Sequence, residues 1–334
     1  MTNNTYLYLI ICLILGAAIV SIPVFTQDPY ILSVFIMLFL NSALACSLHP
    51  ILLCGQLSIA HRGFMAIGAY TSAILVTKMG LSFWITMPVA GIVTGLFALP
   101  IGWLTLRLRG IYFVCITFAL NEIIRMTIIG WDSLLGSFKG IPVPVANSIS
   151  LSFIPIIDFQ SKVSQYYLIV VLAIITILVI YSLEKSRLGK ILRGTEQNPD
   201  LAESLGIDIH KYKLIAFVTG CFFAGILGAF FCQYLGVAHP DSFTSWDSMY
   251  ILLYNQVGGI AMLGGPIVGA SLLTVLPELL RINREIQPLL FGSILILTML
   301  FLPGGLLSLG NIVKDYFNKL MQANNKTTGY SDAH

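Results

Sequence analysis

A carboxylate and a guanidinium group stand close together inside an otherwise apolar stretch, residues 111–130. Glu122 and Arg125 are three residues apart, so on a helix they share a face and can form an ion pair, with Asn121 beside them. Glu122 stands about halfway along the stretch, where a bilayer tolerates a charge only if it faces protein or water. Two interpretations remain open: a pair that lines or gates a pathway, and an internal ion pair that fixes helix packing.

A second group of polar and small residues, at 54–63, lies at the start of another apolar stretch and includes Gln56 and Ser58. This composition favours irregular backbone, which a membrane protein tolerates only where protein or water covers it. A broken helix beside a translocation path has this composition, and so does a plain interfacial turn. We interpret His61 in this stretch as a packed or interfacial imidazole rather than a catalytic base.

Residues 184–213 form the longest charged stretch in a chain of which only 10% of residues are charged. Asn198 can cap a short helix at its amino end, and Gly206 suits the left-handed position that ends such a helix. Asp200 and Glu203 lie about one turn apart near the positive end of this helix. A short acidic helix flanked by lysine and arginine suits the docking of a cytosolic protein, and the alternative is an ordinary solvated loop.

The sequence contains no constellation of residues for catalysis. No two histidines are spaced as ligands on one helix face, and neither Gly-x-Ser-x-Gly nor the phosphate-binding Gly-x-x-x-x-Gly-Lys-Ser/Thr occurs. The six cysteines show no paired metal spacing. We therefore expect no cofactor, no metal site and no enzymatic activity, and an ATP-driven process would need a partner that binds the nucleotide.

The elements that must position these residues are membrane spans. The chain has 334 residues, 57% of them hydrophobic, and a mean hydropathy of +0.89, far above that of a soluble protein. Apolar runs of about 17–25 residues recur along it, the length that crosses a bilayer. The predicted fold is an all-α polytopic membrane protein with about ten transmembrane helices, at residues 6–25, 31–53, 63–79, 84–106, 111–130, 166–183, 214–235, 248–262, 265–280 and 286–304.

The distribution of lysine and arginine predicts the orientation of these spans. Placing both termini in the cytoplasm collects most of the basic residues on that side, as the positive-inside rule requires. Residues 1–310 then form the transmembrane domain, with an external segment at 131–165 and a cytoplasmic segment at 184–213, and residues 311–334 form a cytoplasmic tail. The rule also favours two spans within 248–280, since a single span would export the basic tail.

Several motifs resemble those of one transporter family and occur in its order, over about residues 55–310. They are Gly55-Gln56-Leu57-Ser58, Leu106-Arg107-Leu108-Arg109-Gly110, Asn121-Glu122-Ile123-Ile124-Arg125, Ser186-Arg187-Leu188-Gly189-Lys190, Ala202-Glu203-Ser204-Leu205-Gly206-Ile207 and Leu263-Gly264-Gly265-Pro266. Together they resemble the LivM-type permease of branched-chain amino acid ABC transporters, and the urea and amide permeases of the same family.

This resemblance implies an assembly in the bacterial inner (plasma) membrane. The chain would pair with a second, related permease, two cytosolic ATPase subunits and an external substrate-binding protein, and it would contain two related halves of five spans each. Residues 196–206 would form the coupling loop that enters a cleft of the ATPase. The docking residues carried over from the resemblance are Glu196, Asp200, Ala202, Glu203 and Gly206.

The resulting functional prediction is the permease subunit of an ATP-driven ABC importer that moves leucine, isoleucine and valine. Closure of the ATPase pair on ATP would shift the bundle between inward-open and outward-open states. The polar residues expected to line or gate the path are Gln56, Ser58, Thr117, Asn121, Glu122, Arg125, Asn255 and Gln256.

Three alternatives remain open at this point. The same machinery could carry urea, short amides or another small amino acid. An ion-coupled secondary transporter would need acidic or histidine relays at the midplane, for which only Glu122 offers itself. An intramembrane enzyme would need paired carboxylates or histidine clusters on facing spans, and we find neither in the sequence.

Overall fold

The computed structural model describes residues 21–23, 26, 28–144, 161–279, 286–301 and 305–306. Most of the predicted span 6–25, part of the segment 131–165 and the tail 311–334 lie outside these residues. Where the chain is described it is mainly helical, which confirms the all-α prediction. The helices are α1 (Pro29–Leu52), α2 (His61–Met79), α3 (Phe83–Thr105), α4 (Ile111–Gly130), α5 (Asp132–Leu135), α6 (Lys162–Lys185), α7 (Arg187–Gln197), α8 (Pro199–Ser204), α9 (Ile209–Leu235), α10 (Ser245–Gly258), α11 (Gly264–Leu279) and α12 (Gln287–Phe301).

A short antiparallel strand pair ties two connections together at one end of the bundle. Strand β1 (Ile141–Pro142) pairs with β2 (Val237–Ala238). The backbone amide of Val143 adds a hydrogen bond of 2.9 Å to the carbonyl oxygen of Gly236. The segment that follows α4 is therefore fixed to the carboxyl end of α9. Two 3₁₀ helices lie near this sheet, at Ser137–Lys139 and Pro240–Phe243.

Five of the described helices are long and apolar enough to cross a bilayer: α1, α3, α4, α6 and α9. A multi-pass membrane protein is therefore confirmed, whereas the number of ten spans stays a prediction. Helix α2 has 19 residues, with polar and small side chains at its amino end. Helix α12 contains a shorter apolar stretch, Leu289–Thr298.

Helices α10 and α11 occupy the region that the sequence analysis divides into two spans. The break lies at residues 259–263. Helix α10 has 14 residues and is about 21 Å long, shorter than the hydrocarbon core of about 30 Å. Helix α11 is described as far as Leu279. The two helices pack as an antiparallel hairpin, because a Cβ added at Gly258 would meet the Gly265 carbonyl oxygen at 1.8 Å and one at Gly269 would meet that of Tyr254 at 1.9 Å.

Helix α9 lies at the centre of the bundle and packs against α1, α2 and α3. Its close contact with α2 depends on glycine: a Cβ added at Gly68 would lie 2.3 Å from the Gly225 carbonyl oxygen, and one at Gly228 would lie 2.1 Å from that of Met65. Atoms cannot approach to these distances, so a larger residue would push the two backbones apart. Small residues at such crossings let membrane helices gain packing contacts that lipid cannot supply.

Substitution of Gly228 by alanine should therefore destabilise the bundle, since the added methyl group meets a backbone oxygen that can move only with its helix. We expect Gly228→Ala to cost about 1–3 kcal/mol and to lower the melting temperature in detergent. Gly95→Ala is the matched control, because its Cβ would make ordinary contacts of 3.8 Å with Phe222 and Val218. Equal melting temperatures for the two variants would contradict this account.

Candidate functional site

The irregular stretch predicted after the first described span is present as residues 56–60, which belong to no helix or strand. Side-chain Nε2 of Gln56, which is buried, donates to the carbonyl oxygen of Leu108 at 3.2 Å. The backbone amide of Ile59 donates to Thr117 Oγ1 at 3.1 Å. Helix α4 and the turn before it therefore supply hydrogen-bonding partners that a regular helix would have provided internally.

The same stretch contains two buried side chains with local roles. Ser58 Oγ accepts a hydrogen bond from the Ala60 amide at 3.4 Å. His61 Nε2 lies 2.7 Å from Ser47 Oγ on α1, and the ring is buried, which agrees with the interpretation of a packed imidazole. Burial also raises the pKa of the nearby Cys54 thiol to about 12, so this thiol stays protonated and unreactive at neutral pH.

Asn121 is fully buried and connects α4 to the amino end of α10. Its Nδ2 donates to the Phe243 carbonyl oxygen at 3.3 Å and to Ser245 Oγ at 3.1 Å. Its Oδ1 accepts from Ser248 Oγ at 3.1 Å. The two serines are held in place by a capping box in which Thr244 and Asp247 bond each other's backbone amides. The Thr-x-x-Asp pattern in the sequence predicts the start of a helix at Ser245, and so could have indicated the position of these serines.

Glu122 and Arg125 pair as their spacing predicts, and each has a further partner. Arg125 Nη1 lies 3.4 Å from Glu122 Oε2, and Nη2 lies 3.0 Å from Asp241 Oδ1. The other oxygen of Glu122 accepts a hydrogen bond from Ser245 Oγ at 2.6 Å. Arg125 therefore joins α4 to the 3₁₀ turn before α10, and Glu122 joins α4 to α10 itself.

These contacts favour a packing role for the pair in this conformation. The guanidinium group lies between two carboxylates, one of them on the 3₁₀ helix before α10. Arg125 and Glu122 are partly exposed, and Asp241 is exposed. The interpretation as an isolated pair at the middle of a span is therefore incomplete, because Asp241 takes part. Asp241 is 116 positions away in sequence, so no local pattern could have indicated it.

Asn255 and Gln256 lie on α10 and differ in their surroundings. Asn255 is fully buried, and its Nδ2 donates to the carbonyl oxygens of Ala45 on α1 and of Ile251, each at 3.0 Å. Gln256 is partly buried. The predicted path residues therefore do not form one group: they lie at the 56–60 stretch, at the α4–α10 contact and at the α1–α10 contact.

The charged segment contains two helices, α7 and α8, and its predicted short helix is confirmed. Asn198 Oδ1 accepts from the Leu201 amide at 3.0 Å, and Pro199 is the first helical residue. At the other end Gly206 has φ +79, and its amide donates to the Glu203 carbonyl oxygen at 2.9 Å. The glycine is required here because a side chain is strained at positive φ.

Helix α8 presents acidic and apolar side chains to the outside of the chain. Four of the five predicted docking residues are exposed: Glu196, Asp200, Glu203 and Gly206. Ala202 is the exception, because it is buried against its own chain and so can position the helix but not form a contact surface. Sequence reasoning missed Leu201 and Leu205, which are 58% and 73% exposed. An exposed surface that combines leucine and carboxylate side chains is typical of a protein-binding site.

Helix α7 packs against α6 and α9, and one of its arginines also contacts the break between α10 and α11. Arg193 forms an ion pair with Glu184, a buried residue on α6. Its Nη2 also lies 3.5 Å from the carbonyl oxygen of Ala261, in the break between α10 and α11. His49 Nε2 on α1 lies 4.0 Å from the same carboxylate. A displacement of α7 would therefore act directly on α6 and on the α10–α11 hairpin.

The described ranges contain no group of three or more His, Cys, Asp or Glu side chains that could hold a metal ion. The arrangement consists of the exposed helix α8, an arginine on α7 that contacts two membrane elements, and polar contacts that hold α4 against α10.

Comparisons with known proteins identify relatives over most of the chain. The profile of the family described as "branched-chain amino acid transport system / permease component" matches residues 30–302. The high-affinity branched-chain amino acid transport system permease proteins LivM of Salmonella typhimurium and of Escherichia coli K12 are each 32% identical over 273 residues. These alignments cover 76% of this chain and 64% of the relatives, so less than two thirds of their length is matched.

Two further relatives are more distant. The permease protein LivH of Escherichia coli K12 is 25% identical over 278 residues, 78% of this chain and 88% of LivH. The nucleoside ABC transporter permease NupC of Lactococcus lactis is 25% identical over 240 residues, 64% of this chain and 72% of NupC. No solved structure matches the chain.

The left-handed backbone at Gly206 predicts opposite effects for two glycine substitutions in the charged segment. Gly206→Ala should destabilise the end of α8 by about 1–2 kcal/mol, while Gly194→Ala, inside helix α7, should stabilise by about 0.5–1 kcal/mol. Both positions have open space for a methyl group, so only the backbone conformation differs. Hydrogen exchange of amides 198–207 should become faster in the first variant only, and equal rates would contradict the assignment.

The second carboxylate on Arg125 predicts that a simple charge swap fails. The double variant Glu122→Arg with Arg125→Glu restores that pair but sets a carboxylate against Asp241. We expect its melting temperature to stay below wild type, with a loss of about 0.5–1 kcal/mol for each partly exposed pair. Adding Asp241→Lys should restore it, and full recovery in the double variant alone would show that Asp241 is irrelevant.

Proposed function

The chain belongs to the family of branched-chain amino acid transport permease components, and from this premise we propose that it is the permease subunit of an ATP-driven importer of leucine, isoleucine and valine. The observation that carries the proposal is the family match over residues 30–302 in a chain that also exposes a capped acidic helix between two spans. Because the match covers only 64% of the length of the LivM relatives, the substrate and the partners of this chain are part of the proposal.

The proposed substrate class rests on the names and identities of the relatives. The LivM proteins named for branched-chain amino acids are 32% identical, against 25% for the relative named for nucleosides. Urea, short amides and another small amino acid remain the alternative cargo for the same machinery. In an importer of this kind the external binding protein would select the substrate, and the permease would let it pass without holding it tightly.

The ATPase would dock on α8, with Asp200, Glu203, Leu201 and Leu205 as contacts. Nucleotide-driven closure of the ATPase pair would move α8 and with it α7. Arg193 would pass this displacement to Glu184 on α6 and to the α10–α11 break. Alternating access would follow as a shift in population between two bundle conformations, driven by their different affinity for the nucleotide-bound ATPase.

The remaining partners would occupy other faces of the bundle. Helix α4 exposes a row of large apolar side chains, which a second permease or lipid would cover: Ile111, Tyr112, Phe118, Ile123 and Met126. The two ends of the bundle would face different compartments, with α8 and both termini in the cytoplasm. The external binding protein would dock near the sheet formed by β1 and β2 and the turn that contains Asp241. The membrane would be the bacterial inner (plasma) membrane.

An ion-coupled mechanism receives less support from the described contacts. It needs a carboxylate that can gain and lose a proton or a cation during transport. Glu122, the residue that the sequence offers for this role, already bonds Arg125 and Ser245. An ion-coupled mechanism would also give no role to the exposed acidic helix α8.

Uptake of labelled leucine by cells that express the complete transporter tests this proposal. We expect Glu203→Ala and Leu205→Glu to lower uptake at least about tenfold, since loss of a central contact costs on the order of 1–2 kcal/mol or more. Both residues are exposed, so the variants should reach the membrane in normal amounts. Lys211→Ala, which removes an exposed charge of the same segment outside α8, is the matched control and should transport normally.

Two further measurements test the ATP-driven mechanism independently of the identity of the substrate. ATPase subunits should co-purify with wild type and with Lys211→Ala but not with the α8 variants. Uptake that continues after an uncoupler, with ATP maintained, supports the ATP-driven reading. Normal uptake in both α8 variants would refute the docking role, and uptake of urea or nucleosides in place of leucine would change the substrate only.

A further inference from the structure

A basic pocket lies where α3 ends, α4 begins and α9 begins. Its volume is about 360 Å³, and its wall includes Arg107, Arg109, Glu203, Ile209, His210 and Lys213. Because α3, α4 and α9 are all long enough to cross the bilayer, the pocket at their ends lies at the boundary between the hydrocarbon core and the headgroup region. We refer to these residues as the basic pocket.

Lys213 is the least usual member of the basic pocket. Only 7% of this residue is exposed. Its ammonium group opens on the pocket, and the described part of the chain gives it neither an ion-pair partner nor a hydrogen-bond acceptor. A largely desolvated cation without a partner is costly, so such a group marks a place where an anion is expected to bind.

The other charges do not neutralise the basic pocket. Its one carboxylate, on Glu203, lies 3.7 Å from Arg109 in a pair that is mostly exposed to solvent. Arg107 instead stacks on the ring of Trp103, with its guanidinium carbon 3.9 Å from the ring centroid. Three cations therefore share one carboxylate, and the pocket has an excess of positive charge.

The surface beside the basic pocket is apolar and exposed. Trp103 and Leu104 at the end of α3, and Ile111 and Tyr112 at the start of α4, are all more than half exposed. A tryptophan stacked with an arginine is typical of the membrane interface, where each side chain has one apolar and one polar part. A molecule that joins an anionic group to hydrocarbon chains would match both surfaces at once.

We propose that the basic pocket binds the phosphate of an anionic membrane phospholipid, with the acyl chains lying along the exposed ends of α3 and α4. The phosphate would accept from Lys213 and Arg109, and Arg107 would close the site from its stacked position. Basic pockets between membrane helices suit anionic headgroups for this electrostatic reason. The apolar surface favours a lipid over soluble phosphate. This inference does not depend on which substrate is transported.

Native mass spectrometry of the purified full-length chain tests the proposal with phosphatidylglycerol and phosphatidylethanolamine that have identical acyl chains. Wild type should bind phosphatidylglycerol more tightly, and Lys213→Met and Arg109→Gln should each weaken that binding about fivefold, the effect expected for one cation near a membrane surface. Binding of phosphatidylethanolamine, which carries the same phosphate but no net charge, should weaken less. Lys213→Met removes an unpaired charge from a largely buried side chain, so it should not lower stability, and Lys213→Arg should retain binding.

Arg187→Met and Lys190→Met, which remove exposed cations of α7, are the matched controls and should bind phosphatidylglycerol as wild type does. Equal binding in wild type and in both pocket variants would overturn the proposal. Full displacement of the lipid by excess inorganic phosphate would assign the site to soluble phosphate. Loss of the lipid when the ATPase subunits are bound would assign the pocket to a protein contact instead.

Discussion

The close approach of α9 to its neighbours is the constraint on which the rest of the structure depends. Lipid is as apolar as a leucine side chain, so membrane helices gain little from hydrophobic burial and must gain from packing and hydrogen bonds. Glycine at Gly68 and Gly228 lets the backbones of α2 and α9 touch, and Gly225 lets α9 approach Thr94 on α3. The same central helix begins directly after α8 and ends at the β1–β2 sheet. Helix α8 and the opposite end of the bundle are thus attached to one rigid element.

The hydrogen bonds between the helices depend on where each helix begins. Helix α2 begins only at His61, so residues 56–60 lie in the interior without regular structure. Helix α4 supplies hydrogen-bond partners for their backbone, such as Thr117. Because α10 also starts inside the bundle, its capping box directs Ser245 and Ser248 at Asn121. Polar side chains that look in sequence like the lining of a pathway are, in this conformation, largely occupied in joining helices. A path that uses them would have to break some of these bonds when the bundle changes state.

The parts that could be predicted from sequence are local ones. The cap at Asn198, the left-handed Gly206 and the Glu122–Arg125 pair all depend on residues within about one helical turn of each other. The apolar runs that form α1, α3, α4, α6 and α9 could also be predicted from the sequence. What could not be read are contacts between distant segments: Asp241 with Arg125, Asn255 with Ala45, and Arg193 with Ala261. The burial of Ala202 and the exposure of Leu205 belong to the same class, since only tertiary packing decides which side of a six-residue helix faces outward.

The shortness of α10 has an electrical consequence. A helix of about 21 Å spans only part of a hydrocarbon core of about 30 Å, and its amino end lies inside the bundle beside Asn121 and the Glu122–Arg125 pair. These polar groups shorten the apolar distance along α10, so we expect the membrane voltage to fall over a shorter distance there than along α9. The break contacted by Arg193 lies at the other end of α10. A movement of a few ångströms at that point would be a larger fraction of the apolar distance along α10 than along a full-length span.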